Sequence, residues 1–182
     1  MQKATDLKPM DISEIRHAAW KCRANKIYLH WTAGRYGQIY PEYHISIDRD
    51  GRIYTPDNNL NLDVYRSHTW HRNSGAIGIA VCGCYDAVAN GGKDLDMGSE
   101  PVTRTQIEVI SLVVAVICRS AGIPIENVKT HCEVAYEDGY GPGSGDAETK
   151  WDLWYLPDYD GQMKPGGDVI RGKARWYLDV GI

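Results

Sequence analysis

The run Lys26-Ile27-Tyr28-Leu29-His30-Trp31-Thr32-Ala33-Gly34 carries an alternating segment up to a histidine and then turns away through Thr-Ala-Gly. A histidine at a strand end, beside a glycine-opened loop, sits where a rigid sheet can present a ligand or base to a cleft. A second histidine, His131, follows Lys129-Thr130, and an acid, Asp152, follows Thr149-Lys150-Trp151. Two imidazoles and a carboxylate are the donor types of a hydrolytic zinc site, which takes three protein ligands and leaves a fourth position for water. Spacing this wide is no metal signature by itself. Each residue also has a plain structural reading, as a hydrogen-bonded strand-end histidine or a loop-capping aspartate.

The elements that must position these residues follow from periodicity. Asp11 with Glu14 opens a helix over about 11–25, with Ile12, Ile15, Ala19 and Cys22 as its apolar stripe. The strand ending at His30 comes next. Two alternating runs flank Asp50-Gly51, so residues 42–54 read as a hairpin, with Tyr43, Ile45 and Ile47 on one face and His44 and Ser46 on the other. Residues 56–66 read as polar loop. The apolar run Ala76 to Gly83 reads as a buried central strand, and 85–102, with Asn90-Gly91-Gly92, as a surface excursion. Thr103 with Gln106 starts the longest helix, buried through Ile107, Ile110, Val114 and Ile117 and stopped by Gly122 and Pro124. Residues 127–131 form a short strand, 137–148 and 153–157 are loops, and a last helix spans about 168–178. Strands interleaved with helices give an α/β fold: a single domain over 1–182 with a central mixed β-sheet flanked by α-helices.

Composition narrows the function. A chain of 182 residues with 43% hydrophobic and 24% charged residues suits one soluble domain. A net charge of −4 and a pI near 5.8 argue against a nucleic-acid binder, which carries a basic stripe. Phe is absent, and twelve Tyr and six Trp supply the aromatic volume, for the core or for a groove that meets a sugar or peptide. The five cysteines lack CxxC zinc spacing and read as reduced, mostly buried thiols, which implies synthesis in a reducing cytoplasm. Cys132, next to His131, reads as core, because adjacent strand residues point to opposite faces. His17 reads as solvent-facing. No apolar stretch has the form of a signal peptide or the length of a membrane span, so no membrane insertion is expected.

The segments, taken in order, resemble the zinc-dependent N-acetylmuramoyl-L-alanine amidases of the phage-lysozyme and peptidoglycan-recognition-protein type, over about 26–152. "IYLHWTAG" resembles the first-ligand strand, "EYHISIDRDGRIY" the hairpin bearing a catalytic tyrosine, and "SHTWHRNSGAIGIAVCG" the groove-bordering segment before the central strand. "THCEVA" resembles the second-ligand segment and "KWD" the closing Lys-x-Cys/Asp. The resemblance implies a Zn²⁺ held by His30, His131 and Asp152, catalysis by Tyr43 and Lys150, and a substrate groove bordered by His68 and Asn73. Trp31 and Trp70 are candidates for the same groove. Three departures stand out. Ala80 takes the place of a glutamate that many relatives carry in the central strand. The His131–Asp152 interval is about twice that of the short phage enzymes and rich in glycine, which leaves Asp146 and Glu148 as alternative third ligands. Leu153-Trp154-Tyr155 replaces the usual Asp-Pro-Gly.

The activity implied is hydrolysis of the amide joining the lactyl group of N-acetylmuramic acid to L-alanine in peptidoglycan. The setting implied is a phage or prophage endolysin or an antibacterial lytic enzyme, monomeric, made without a signal peptide and acting on the wall after release or delivery. The alternative from another class is a module that binds muropeptides without cutting them; retention of all three ligand positions favours the enzyme.

Overall fold

The computed structural model describes residues 1–57, 59–90 and 93–182; Asn58, within the expected polar loop, and Gly91-Gly92 of the surface excursion lie outside the described residues. In its first half the chain runs β1 (Gln2–Lys3), α1 (Ile12–Lys21), β2 (Lys26–Trp31), β3 (Gln38–Ile39), β4 (Ile45–Ile47), β5 (Ile53–Tyr54) and β6 (Ala76–Val81). Then come β7 (Val88–Ala89), β8 (Leu95–Asp96), α2 (Arg104–Ala121), β9 (Val128–Thr130), α3 (His131–Asp138), β10 (Tyr155–Pro157), β11 (Met163–Pro165) and α4 (Gly166–Asp179).

Local chemistry sets the boundaries. Reciprocal capping boxes open α1 (Asp11 with Glu14) and α2 (Thr103 with Gln106). Helix α2 stops at Gly122, whose φ of 69° is the left-handed geometry that glycine adopts without penalty. Helix α1 is shorter than its periodicity suggests. Cys22 is already extended, and the Asn25 amide donates to the Gly75 carbonyl, which starts the pairing of β2 with β6.

The central sheet has the order β5-β4-β6-β2-β9, with β4, β6, β2 and β9 parallel and only β5 antiparallel. Strand alternation divides its side chains. Ile27, Leu29, Trp31, Ile45, Ile47, Ile77, Ile79 and Val81 form the main core with residues of α1, α2 and α4. On the other face Tyr28 and Ala76 pack on Val134 of α3, and the register His30–Ala80–Ser46 places those three in one row. The expected row of core residues and the buried central strand are therefore present, and so is the mixed α/β sheet.

Other elements also differ from the sequence reading. Strand β4 begins only at Ile45, so Tyr43 lies outside the hairpin and its ring stands 5.1 Å from that of His30, away from the Ile45–Ile47 face. A helix, α3, follows β9 where no element was expected. Thr130 and Glu133 form its capping box, so Cys132 is buried as a helical residue and not as the back of a strand. Residues 155–157, expected as loop, pair with 163–165 in a short hairpin. The excursion at 85–102 contains the small β7–β8 ladder. All five cysteines are free, and no helix among the described residues is long and apolar enough to cross a membrane.

Candidate metal centre

Parallel pairing brings two histidines together from opposite ends of the chain. Strands β2 and β9 align Leu29 with Thr130, so the next residue of each, His30 and His131, stands side by side with ring centroids 4.8 Å apart. Asp152 reaches them from a loop that the core holds at two points. Trp151 packs edge-to-face on Trp31 at 5.0 Å, and Leu153 is fully buried with a φ of 58°. Gly166 permits that bend: a Cβ there would lie 2.0 Å from the Leu153 carbonyl oxygen. Asp152 Oδ2 then lies 3.0 Å from His30 Nδ1 and Oδ1 lies 3.3 Å from His131 Nδ1.

The three residues fit a zinc ion. Their donor atoms lie within 4.8 Å of one another and all three side chains are buried. Zinc bonds of about 2.0–2.1 Å in tetrahedral array place neighbouring ligand atoms roughly 3.3 Å apart, close to the two spacings observed. Protonation agrees. Burial holds the His30 imidazole below its ordinary range, outweighing the adjacent Asp152, so it is neutral. Burial raises the Asp152 carboxyl, but the neighbouring His131 and hydrogen bonds from both imidazoles outweigh it, and the carboxyl stays ionised. Neutral imidazoles and a carboxylate are the forms that bind a divalent cation.

Behind His30 lies a second layer of polar groups. His30 Nε2 is 3.3 Å from both His68 Nδ1 and Thr69 Oγ1, so with Nδ1 as ligand the Nε2–H has acceptors that fix the ring. His68 lies flat over Gly78, where a Cβ would come within 2.6 Å of its ring. The Asn73 side-chain oxygen accepts the backbone N–H groups of His68 and Thr69, at 3.1 and 2.7 Å, and so shapes the turn that carries them. Burial, with His30 and His44 nearby, pushes the His68 imidazole down to about 2, so it too is neutral.

His44, just ahead of β4, is structural. Its Nε2–H donates to the Val64 carbonyl at 2.8 Å and its Nδ1 accepts the Gly78 amide at 2.9 Å. Protonating Nδ1 would set a donor against a donor. Burial accordingly pushes this imidazole down to about 4 from 6.5. The unfolded chain then binds the extra proton between those values, so His44 contributes stability above pH 6.5 that is lost as pH falls toward 4. The span corresponds to about 3 kcal/mol. Thermal melts from pH 7 to pH 4 are expected to show this loss, and His44→Gln should flatten the curve; equal pH slopes in the two proteins would contradict it.

Beside the metal centre runs a groove of about 800 Å³ lined by His68, Asn73, Trp70, Tyr140, His131 and Lys150, among others. Trp70 is 72% exposed on its wall, next to His71 in left-handed backbone conformation (φ 54°). Tyr43 approaches His30, and burial raises its phenol above the ordinary range, so it is a neutral hydroxyl. Trp31, expected in this groove, is in the main core at 6% exposure; it neighbours His30 in the strand and so points to the opposite face. Asp146 and Glu148, the alternative ligands, are exposed rim residues outside the metal cluster. Lys150 lines the groove, with its Nζ 3.3 Å from Glu148.

Three contributors escaped the sequence reading. Thr69 orients His30 although it has no charge and no motif. Tyr140 adjoins His131, and its signal was position alone, next to the C-terminal Gly139 of α3. Arg72 bonds Asp138 and Glu137 at the end of α3, tying the Trp70 turn to the opposite side of the groove.

The family profile described as N-acetylmuramoyl-L-alanine amidase matches residues 15–146. Among solved structures, the chain is similar to the N-acetylmuramoyl-L-alanine amidase LysC from Clostridium intestinale URNW, with 22% identity, 74% of this chain and 80% of that one covered, and a TM-score of 0.43. It is similar also to the Ph2119 endolysin from the Thermus scotoductus MAT2119 bacteriophage Ph2119, with 17% identity, 70% and 77% covered, and a TM-score of 0.40. No curated protein sequence matches the chain.

Proposed function

The chain belongs to the N-acetylmuramoyl-L-alanine amidases, and from that premise we propose that it hydrolyses the lactyl–L-alanine amide of peptidoglycan as a zinc enzyme, with residues 1–182 acting as one catalytic domain. The observation that carries the zinc reading is the convergence of His30, His131 and Asp152 in a buried cluster at the edge of a groove.

His30, His131 and Asp152 would hold the ion. When bound, zinc supplies Lewis acidity, which lowers the pKa of water from about 15.7 toward about 7 and polarises the scissile carbonyl. The chain's own residues do the rest. Lys150 faces the negative charge that develops on the carbonyl oxygen, a contribution of the order of 3–4 kcal/mol for a well-placed donor. The neutral Tyr43 hydroxyl hydrogen-bonds the same oxygen or orients the attacking water. His68 and Thr69 keep the His30 ring aligned, and Asn73 holds their turn. Trp70 and its neighbours along the turn offer flat apolar surface to a sugar ring or stem peptide. The five free thiols suit synthesis in a reducing compartment, and the setting we propose is lysis of a bacterial wall, by a phage enzyme or an antibacterial one.

The test is product identification. Zinc-loaded protein incubated with a muropeptide bearing a full stem should release an L-alanyl peptide and a lactyl-ended sugar, identified by mass, and a chelator should stop the reaction. Intact muropeptide that nevertheless binds would move the chain to the recognition class.

A further inference from the structure

His131 faces Asp152 through Nδ1, so once that nitrogen serves as a ligand the ring's proton resides on Nε2. His30 has His68 and Thr69 waiting at the equivalent nitrogen. His131 does not. Its Nε2 is shielded from solvent and meets no partner among the described residues.

Tyr140 is the ring beside that of His131. The two rings meet edge-to-face with centroids 6.2 Å apart, and the Tyr140 hydroxyl is likewise shielded and without a partner among the described residues. A phenolic oxygen stands off its ring centre by nearly half that separation. Two unpaired groups of complementary character thus sit on neighbouring rings, in a protein interior where almost every such group is satisfied. The backbone of Tyr140 is pinned at both sides. Its N–H donates to the Ala135 carbonyl at 2.9 Å, and its carbonyl accepts the Lys150 N–H at 3.3 Å. Side-chain rotation is the freedom that remains.

We propose that Tyr140 is a positioning residue for the metal centre: in the zinc-loaded protein its hydroxyl accepts the His131 Nε2–H and fixes that ligand's ring. The proposal rests on the zinc reading above. A ligating histidine characteristically gives its second N–H to an oxygen acceptor, and loss of that acceptor costs about 10- to 100-fold in metal affinity. His30 draws its acceptors from the turn before β6, whereas His131 draws one from the residue just past its own helix. The phenol oxygen can accept that proton and still keep its own O–H for another partner.

The experiment is Tyr140→Phe in the full chain, which removes one oxygen and keeps the ring. Zinc affinity is measured by chelator competition, and the cobalt-substituted protein's visible spectrum reports ligand geometry. The expected result is zinc binding about 10- to 100-fold weaker and a changed cobalt spectrum, with circular dichroism and the melting temperature of the metal-free protein unchanged. Affinity within twofold and an unaltered spectrum would overturn the inference, even if turnover fell, since the hydroxyl would then serve the substrate. Zinc binding by neither protein would overturn the metal reading and this inference together. Tight binding by both would overturn this inference alone.

Discussion

Asp152→Ala is expected to abolish stoichiometric zinc binding and to lower amidase turnover by on the order of 10³-fold or more, since the activated water disappears with the ion. Asp152 is the sole carboxylate of the cluster, so its removal leaves two imidazoles and no counter-charge for a divalent cation. The fold should persist. The loop around position 152 is held by Trp151 against Trp31 and by Leu153 in the core, independently of the carboxylate. The His30 imidazole left beside the deletion is already neutral and so is no stranded charge, and the cost is that of unpaired buried donors, about 1–3 kcal/mol. Asp152→Cys should keep the ion, because a thiolate is an equally good zinc ligand. Metal content by elemental analysis, turnover on a muropeptide and a thermal melt check all three points. One zinc per chain retained in the alanine variant would transfer the third position to another residue.

How far the site could be read from the sequence depends on how local its signals were. His30 was legible because alternation along Lys26–Trp31 places it on the sheet face opposite Ile27 and Leu29, and the same alternation, carried one residue further, sends Trp31 into the core. An aromatic beside a candidate ligand invites a groove reading all the same. Thr130 and Glu133 spelled a capping box that would have revealed α3, but a histidine and a cysteine between them drew attention to ligand chemistry instead. A hairpin read from residue 42 runs three residues too far and puts Tyr43 on the wrong face. The chain leaves β4 before that point, where the His44 amide donates to the Gly78 carbonyl.

Asp152 was the hardest to place, for a geometric reason. The long interval after His131 closes on itself: the Lys150 amide donates to the Tyr140 carbonyl, so residues 141–149 leave and return at nearly one point. Loops whose ends meet cost little more as they lengthen. Sequence distance therefore says almost nothing about the distance between the proposed second and third ligands. Closure of the loop, with Trp31 and Trp151 beyond it, brings Asp152 home, and none of these contacts is visible in spacing.

That closure also governs Lys150, and Lys150→Met is expected to lower kcat by about 10²- to 10³-fold while KM changes little and zinc is retained. Methionine keeps much of the apolar stem that lines the groove and removes the charge. In the structure the ammonium rests 3.3 Å from Glu148, with the two side chains 42% and 86% exposed. Such an exposed pair is worth about 0–1 kcal/mol, since water screens it. A donor aimed at a developing oxyanion contributes about 3–4 kcal/mol in a site that excludes water. On the proposed role the oxyanion would therefore outcompete Glu148: the lysine would leave its resting partner when the carbonyl oxygen gains charge, and the ground-state complex would not need it. Glu148→Gln should then change kcat by less than about threefold, because it removes only that resting partner. Steady-state kinetics on one muropeptide separates the cases. A loss below tenfold in Lys150→Met would leave Lys150 as a rim residue and pass the oxyanion to the Tyr43 hydroxyl, whose ring stands beside that of His30 and which carries no charge to be screened.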